Sequence, residues 1–129
     1  MILGFVNTDY EAIINLFVRG PKQQEQEIEA VVDTGFDGWL TLPATIISSL
    51  TLPFRRRGRA VLADGSETVF NIYEGTVIWN GQPRRILIEH ADTDSLVGMS
   101  LLYGNSLSMQ IVEGGSVIIN ALPREKPMA

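Results

Sequence analysis

Val31-Val32-Asp33-Thr34-Gly35 is the stretch on which the reading of this chain turns. Upstream of it, residues 27–33 alternate: Ile28, Ala30 and Val32 fall on one face, Glu27 and Glu29 on the other. That is the two-residue period of a half-buried β-strand, and it runs straight into the acid. An acid set directly after an apolar strand, followed by a small hydroxyl residue and a glycine, suits a tight loop that presents a carboxylate. Glycine lets the backbone come close enough for its N–H to hold the charge, and the threonine hydroxyl can fix the loop. The same three residues are equally natural in a polar turn that merely ends a strand. The motif alone leaves both readings open.

Outward from this stretch, short apolar runs broken by turn residues continue almost end to end, which points to an all-β closed barrel or sandwich. Residues 1–20 read as strands; they carry Asp9 and Glu11 and no basic leader, unlike a signal peptide or a membrane span. Asp64-Gly65, between residues 59–63 and 68–73, and Asn80-Gly81, between 75–79 and 84–88, are hairpin turns that tolerate positive φ at both central positions. Gly114-Gly115 joins 107–112 to 116–121. Two segments read as helical: 43–50, opening on Pro43, and 99–103, stopped by Gly104. With no repeat or linker, the expectation is one domain over residues 1–122 and a frayed tail over 123–129.

The bulk numbers narrow the function. At 129 residues the chain suits one core, and 45% hydrophobic with 19% charged residues is ordinary for a folded protein. A net charge of -5 argues against nucleic acid as a partner, since phosphate binding needs a positive field. With no cysteine there is no disulfide, thiolate metal site or cysteine nucleophile. His90 is the sole histidine, which leaves little for a multi-histidine metal centre or a Ser-His-Asp arrangement. Neither metal nor cofactor is expected, nor a membrane, and the expected setting is soluble and cytoplasmic. Arg55-Arg56-Arg57-Gly58-Arg59 reads as a solvated loop, Asp92 and Asp94 as loop or helix-cap acids, Trp39 and Trp79 as core anchors.

Three blocks in order, Asp33-Thr34-Gly35, the Leu62-Ala63-Asp64-Gly65-Ser66 hairpin and Leu96-Val97-Gly98 leading into Leu101-Leu102, resemble the retropepsin-like aspartic proteases. The resemblance covers roughly residues 28–119, and Asp-Thr-Gly-Phe-Asp-Gly-Trp-Leu-Thr-Leu-Pro is most similar to the bacterial and archaeal branch. It implies an acid-protease fold half with one or two short helices. It further implies a homodimeric endopeptidase acting on a peptide or protein, with Asp33 as the catalytic acid of each copy. Thr34 would clamp the two loops across the two-fold axis, and Gly35 would contribute backbone contacts. Phe36, Asp37, Ala63, Asp64, Gly65 and Ser66 would meet substrate, the last four as the tip of a flap over residues 59–73. Leu96, Val97 and Gly98 would support the catalytic loop from behind.

Two positions depart from the retroviral members. Phe36 stands where a small residue is common. Met99 stands where an arginine commonly pairs with an acid near the motif, which leaves Asp37 either to meet substrate or to cap a turn. The alternative reading is a retropepsin-like dimerisation or peptide-binding module with weak or no catalysis. An unrelated β-barrel in which Asp33-Thr34-Gly35 is only a turn is a third.

Overall fold

The structure, a computed structural model, describes residues 1–123. Four strands, β1 (Ile2–Val6), β2 (Ala12–Arg19), β3 (Glu25–Val32) and β4 (Leu40–Leu42), precede the helix α1 (Ala44–Ser49). Then β5 (Phe54–Val61), β6 (Glu67–Trp79), β7 (Gln82–His90) and β8 (Leu96–Val97) lead to α2 (Met99–Leu102). Finally come β9 (Asn105–Met109) and β10 (Ser116–Ala121). The expected tail lies, from residue 124 on, outside the described residues.

The strands join in the order β5-β6-β7-β4-β8-β3-β2-β1-β10-β9, and an additional β6–β2 pairing closes part of this sheet on itself. One edge of β2 pairs with β3 from Ile13 to Arg19. Its other edge is shared: Ala12 to Ile14 pair with β1, and Phe17 to Arg19 pair with Ile78 to Thr76 of β6. The ring β6-β7-β4-β8-β3-β2 is therefore closed, with no free edge between its members. β5 projects from β6 on one side, and β1, β10 and β9 extend β2 on the other.

Alternation along the strands fills the core. Ile28 and Ala30 of β3 are buried while Glu27 and Glu29 are exposed. Val18, Leu40, Leu42, Val77, Ile88, Val97, Leu101, Val117 and Ile119 are each fully buried in one apolar cluster. Each such aliphatic side chain contributes roughly 1.5–3 kcal/mol relative to exposure.

Several local expectations change. Asn80 and Gly81 both take positive φ, +50° and +77°, as the hairpin reading required. At Asp64-Gly65 only Gly65 does (φ +84°). Gly65 N–H donates to Leu62 O and Leu62 N–H to Ser66 O, so the connection is a three-residue loop with a left-handed glycine, not a two-residue turn. Residues 75–79 do not start a new strand: β6 runs unbroken for 13 residues. The arginine run is not a loop but part of β5, paired with residues 67–73 of β6. Pro43 sits one position before the helix, at its N-cap. Residues 110–112 leave the β9 ladder to form the turn.

Candidate active site

Asp33 follows the last residue of β3, and residues 33–39 arch over the end of β8 before re-entering the sheet as β4. β8 lies between the two, parallel to β3 and antiparallel to β4. Backbone bonds run from both legs of the arch to the segment beneath. Asp33 N–H donates to Val97 O (2.9 Å) and Val31 N–H to Ser95 O (2.8 Å). On the far leg, Gly98 N–H donates to Trp39 O (3.0 Å), Met99 N–H to Phe36 O (2.8 Å) and Ser100 N–H to Gly38 O (3.1 Å). Ser100 Oγ adds a bond to Asp37 O at 2.6 Å, and the buried Thr41 hydroxyl accepts Leu96 N–H at 2.8 Å. Leu96, Val97 and Gly98 thus lie directly beneath the loop that carries the acid.

Within the arch, Gly35 N–H donates to Asp33 Oδ1 at 2.9 Å, and Phe36 N–H to Asp33 O at 3.2 Å. The carboxylate is therefore fixed by its own loop while its side chain stays partly exposed. Thr34 is exposed, and its hydroxyl makes no hydrogen bond among the described residues. The Phe36 ring lies over two glycines: a Cβ on Gly38 would stand 2.4 Å from Phe36 Cζ, and one on Gly98 2.6 Å from Phe36 Cδ2. The large residue at this position is thus accommodated by the absence of side chains at 38 and 98.

No family model matches the sequence, and no curated protein does. Solved structures do match in shape. A retropepsin-like aspartic protease from Rickettsia conorii superposes with a TM-score of 0.59 at 20% identity, covering 94% of this chain and 90% of that one. EIAV protease, solved with an inhibitor, superposes with a TM-score of 0.54 at 15% identity, over 74% of this chain and 88% of that one. The chain has the retropepsin-like fold.

In this retropepsin-like fold the β5–β6 hairpin carries Ala63, Asp64, Gly65 and Ser66 at its tip, away from the arch in sequence and all exposed. Ser66 Oγ and N–H both donate to Asp64 Oδ1, at 2.6 and 2.9 Å, and these bonds hold the Asp64 carboxyl below the usual range. Val61, Leu62 and Val69 leave apolar surface exposed near the tip. Asp37 is exposed and has no arginine partner among the described residues. Asp92 Oδ1 accepts Ala44 N–H at 2.9 Å, so this acid serves the start of α1.

One residue near the loop escaped the sequence reading. Glu89 of β7 reaches the underside of the arch, where a Cβ on Gly38 would stand 2.3 Å from its Oε2. Burial, and secondarily the charge of Asp37, push its carboxyl above the ordinary value of 4.5, with Arg56 partly opposing. Trp79 is buried as an anchor, and Trp39 is half-buried against the core cluster, with the Arg84 guanidinium 5.0 Å above its ring. The alternation of Arg85, Leu87 and Glu89 opposite the buried Ile86 and Ile88 assigns Glu89 to the outer face. It does not announce that the arch covers that face.

Proposed function

We propose that the chain is one half of a homodimeric aspartic endopeptidase that hydrolyses peptide bonds through a water held between two Asp33 carboxylates, one from each copy. The observation that carries this is the Asp33 loop itself. It is a partly exposed carboxylate fixed by Gly35 N–H, on a fold shared with solved aspartic proteases, in a chain with a single Asp-Thr-Gly. Asp92-Thr93-Asp94 lacks the glycine, so the second acid comes from a second copy across a self-complementary interface. Exposed Leu3 and Phe5 on β1, with Ile111 and Val112 beyond β9, offer apolar surface of the kind such an interface covers.

Two carboxylates that share a site hold one proton between them, aspartic proteases being the type case of this behaviour. The ionised member takes a proton from water as the water oxygen bonds to the scissile carbonyl carbon, and the neutral member protonates the carbonyl oxygen. Collapse of this intermediate breaks the C–N bond, and the amine leaves with a proton. Thr34, exposed beside the acid, bonds to its counterpart across the axis. The β5–β6 hairpin acts as a flap that closes over an extended peptide and excludes water, with Ala63 to Ser66 at its tip. Phe36 and Asp37 border the cleft. The setting is cytoplasmic, with no metal or organic cofactor.

Peptide cleavage at acidic to near-neutral pH tests this reading. Turnover should disappear in Asp33→Ala and be blocked by a statine-type inhibitor. A second reading, a peptide-binding module without turnover, draws on Asp37 lacking an arginine partner. It requires peptide retention and dimerisation with no cleavage by the wild-type chain. A crystal structure in which the two Asp33 carboxylates face away from each other would sink the hydrolase reading.

A further inference from the structure

Three recesses meet at Trp39, six residues beyond Asp33 in the chain. The first, about 200 Å³, opens beside the arch between Asp37, Gly38 and Glu89. The second, about 380 Å³, continues past Leu87 to Arg55, Glu74 and Arg85. The third, about 430 Å³, lies between Trp39, Arg84 and Tyr103. Because the first two share Trp39 and Leu87 as walls, they form a groove along the outer face of β6 and β7, which the third recess touches only at Trp39 and, beside the arch, at Asp37 and Ser100.

The charge of the second recess runs against that of the chain. In a protein of net charge -5, Arg55 and Arg85 meet a single carboxylate, Glu74, in the second recess, whereas Asp37 and Glu89 face Arg56 in the first. Arg55 and Arg85 both pair with the Glu74 carboxylate, whose side chain is only 16% exposed, whereas the two arginines are 58% and 79% exposed. One carboxylate neutralises one guanidinium. Each guanidinium also has five N–H donors, so donors and about one unit of positive charge remain available to the recess. The indole of Trp39 supplies a flat wall, kept in place by Arg84 on one face.

We propose that this groove is a specificity subsite for an acidic side chain of the substrate, its carboxylate held by Arg85 and Arg55 beside Trp39. The assignment rests on the endopeptidase reading and adds a substrate class to it. Asp37 and Gly38, of the same arch as Asp33, line the first recess, so a peptide held at the Asp33 loop would reach the groove past them. In the second recess a single carboxylate meets the positive excess of Arg55 and Arg85 over Glu74, while the negative charge of the whole chain disfavours polyanions.

The test uses the full chain carrying Asp33→Asn, so that ligands are bound and not consumed. Fluorescein-labelled peptide libraries with Glu or Gln fixed at successive positions are followed by anisotropy at low and high salt. At one position Glu should bind roughly fivefold to tenfold tighter than Gln, with the advantage shrinking in salt. Arg85→Gln, which leaves Arg55 on Glu74, should erase that advantage, and Arg85→Glu should turn the preference toward Lys; thermal melts confirm that both fold. Equal binding of Glu and Gln peptides at every position, or an advantage that survives both substitutions, overturns the subsite. If the wild-type chain cleaves peptides yet shows no acid preference, only the subsite falls. If it neither cleaves nor binds any peptide, the endopeptidase reading falls and the subsite with it.

Discussion

Gly98 and Gly38 are packed so closely that a Cβ on Gly98 would stand 2.2 Å from the Gly38 carbonyl oxygen. The same Cβ would also crowd the Phe36 ring and carbonyl, at 2.6 and 2.8 Å. At position 98 the arch that carries Asp33 therefore rests directly on backbone, with no room for a side chain there. That contact is continuous with the three N–H bonds that Gly98, Met99 and Ser100 give to residues 36–39.

Gly98→Ala should consequently damage both stability and the loop. Forcing one methyl into a packed interior costs about 1–3 kcal/mol, and here the obstructing atoms are backbone, so the upper end applies. A urea titration should show the midpoint lowered by a corresponding amount with the slope unchanged. Peptide cleavage by the folded fraction should fall as well, because the arch must lift to admit the methyl. Wild-type stability in this variant would contradict the packing described.

Glu89 makes a prediction about pH. Its carboxyl is raised by burial first and by Asp37 second, so the folded state binds its proton more tightly than the unfolded state does. Between the ordinary value of 4.5 and the raised folded value, the folded state thus holds more protons, and stability falls as pH rises. Below that window both states are protonated and nothing is lost. Glu89→Gln keeps the shape and removes the charge, so it should stabilise the chain at neutral pH and have little effect at low pH. Denaturant midpoints measured across the acid range check this. A variant equally or less stable than wild type at neutral pH would show that the ionised Glu89 is compensated.

The parts of this fold that were legible in the sequence are those set by local chemistry. Ile28, Ala30 and Val32 against Glu27 and Glu29 name a strand because period and burial coincide, and Asn80-Gly81 names its turn because few other pairs accept two positive φ values. Arg55 to Arg59 misled because polarity suggested solvent. Their conformation is set by pairing with β6, whose Glu67 and Glu74 meet Arg59 and Arg55. The ring closure between residues 17–19 and 76–78 joins segments far apart in sequence, and nothing local encodes it. The positions of Phe36 and Glu89 about Gly38 were hidden for the same reason. Their meeting depends on where the arch comes to rest over β7, a tertiary outcome.

At the tip of the β5–β6 hairpin, Gly65 at φ +84° has open space around it, and a Cβ added there would meet nothing within 4 Å. Steric room is therefore not what a substitution there would lack. An L-residue loses about 1 kcal/mol in the left-handed region, less for asparagine, whose side chain tolerates it. Gly65→Ala should lower stability by about that amount and Gly65→Asn by less, both read from denaturant midpoints. Equal costs for the two would mean that the loop abandons its left-handed turn when the glycine is replaced.

Subunit mixing addresses the dimeric reading most directly. If each catalytic centre needs one Asp33 from each copy, a centre with a single acid is inert, because nothing remains to share the proton. Wild-type and Asp33→Asn chains mixed in equal amounts and allowed to exchange should then retain roughly a quarter of the activity of the same total amount of wild type, against roughly a half if each copy works alone. Dilution should act in the same direction: specific activity should fall as the dimer dissociates, and return on concentration. A one-half result with activity unaffected by dilution would assign the chemistry to a single chain, and Asp33 would then need a different acid beside it.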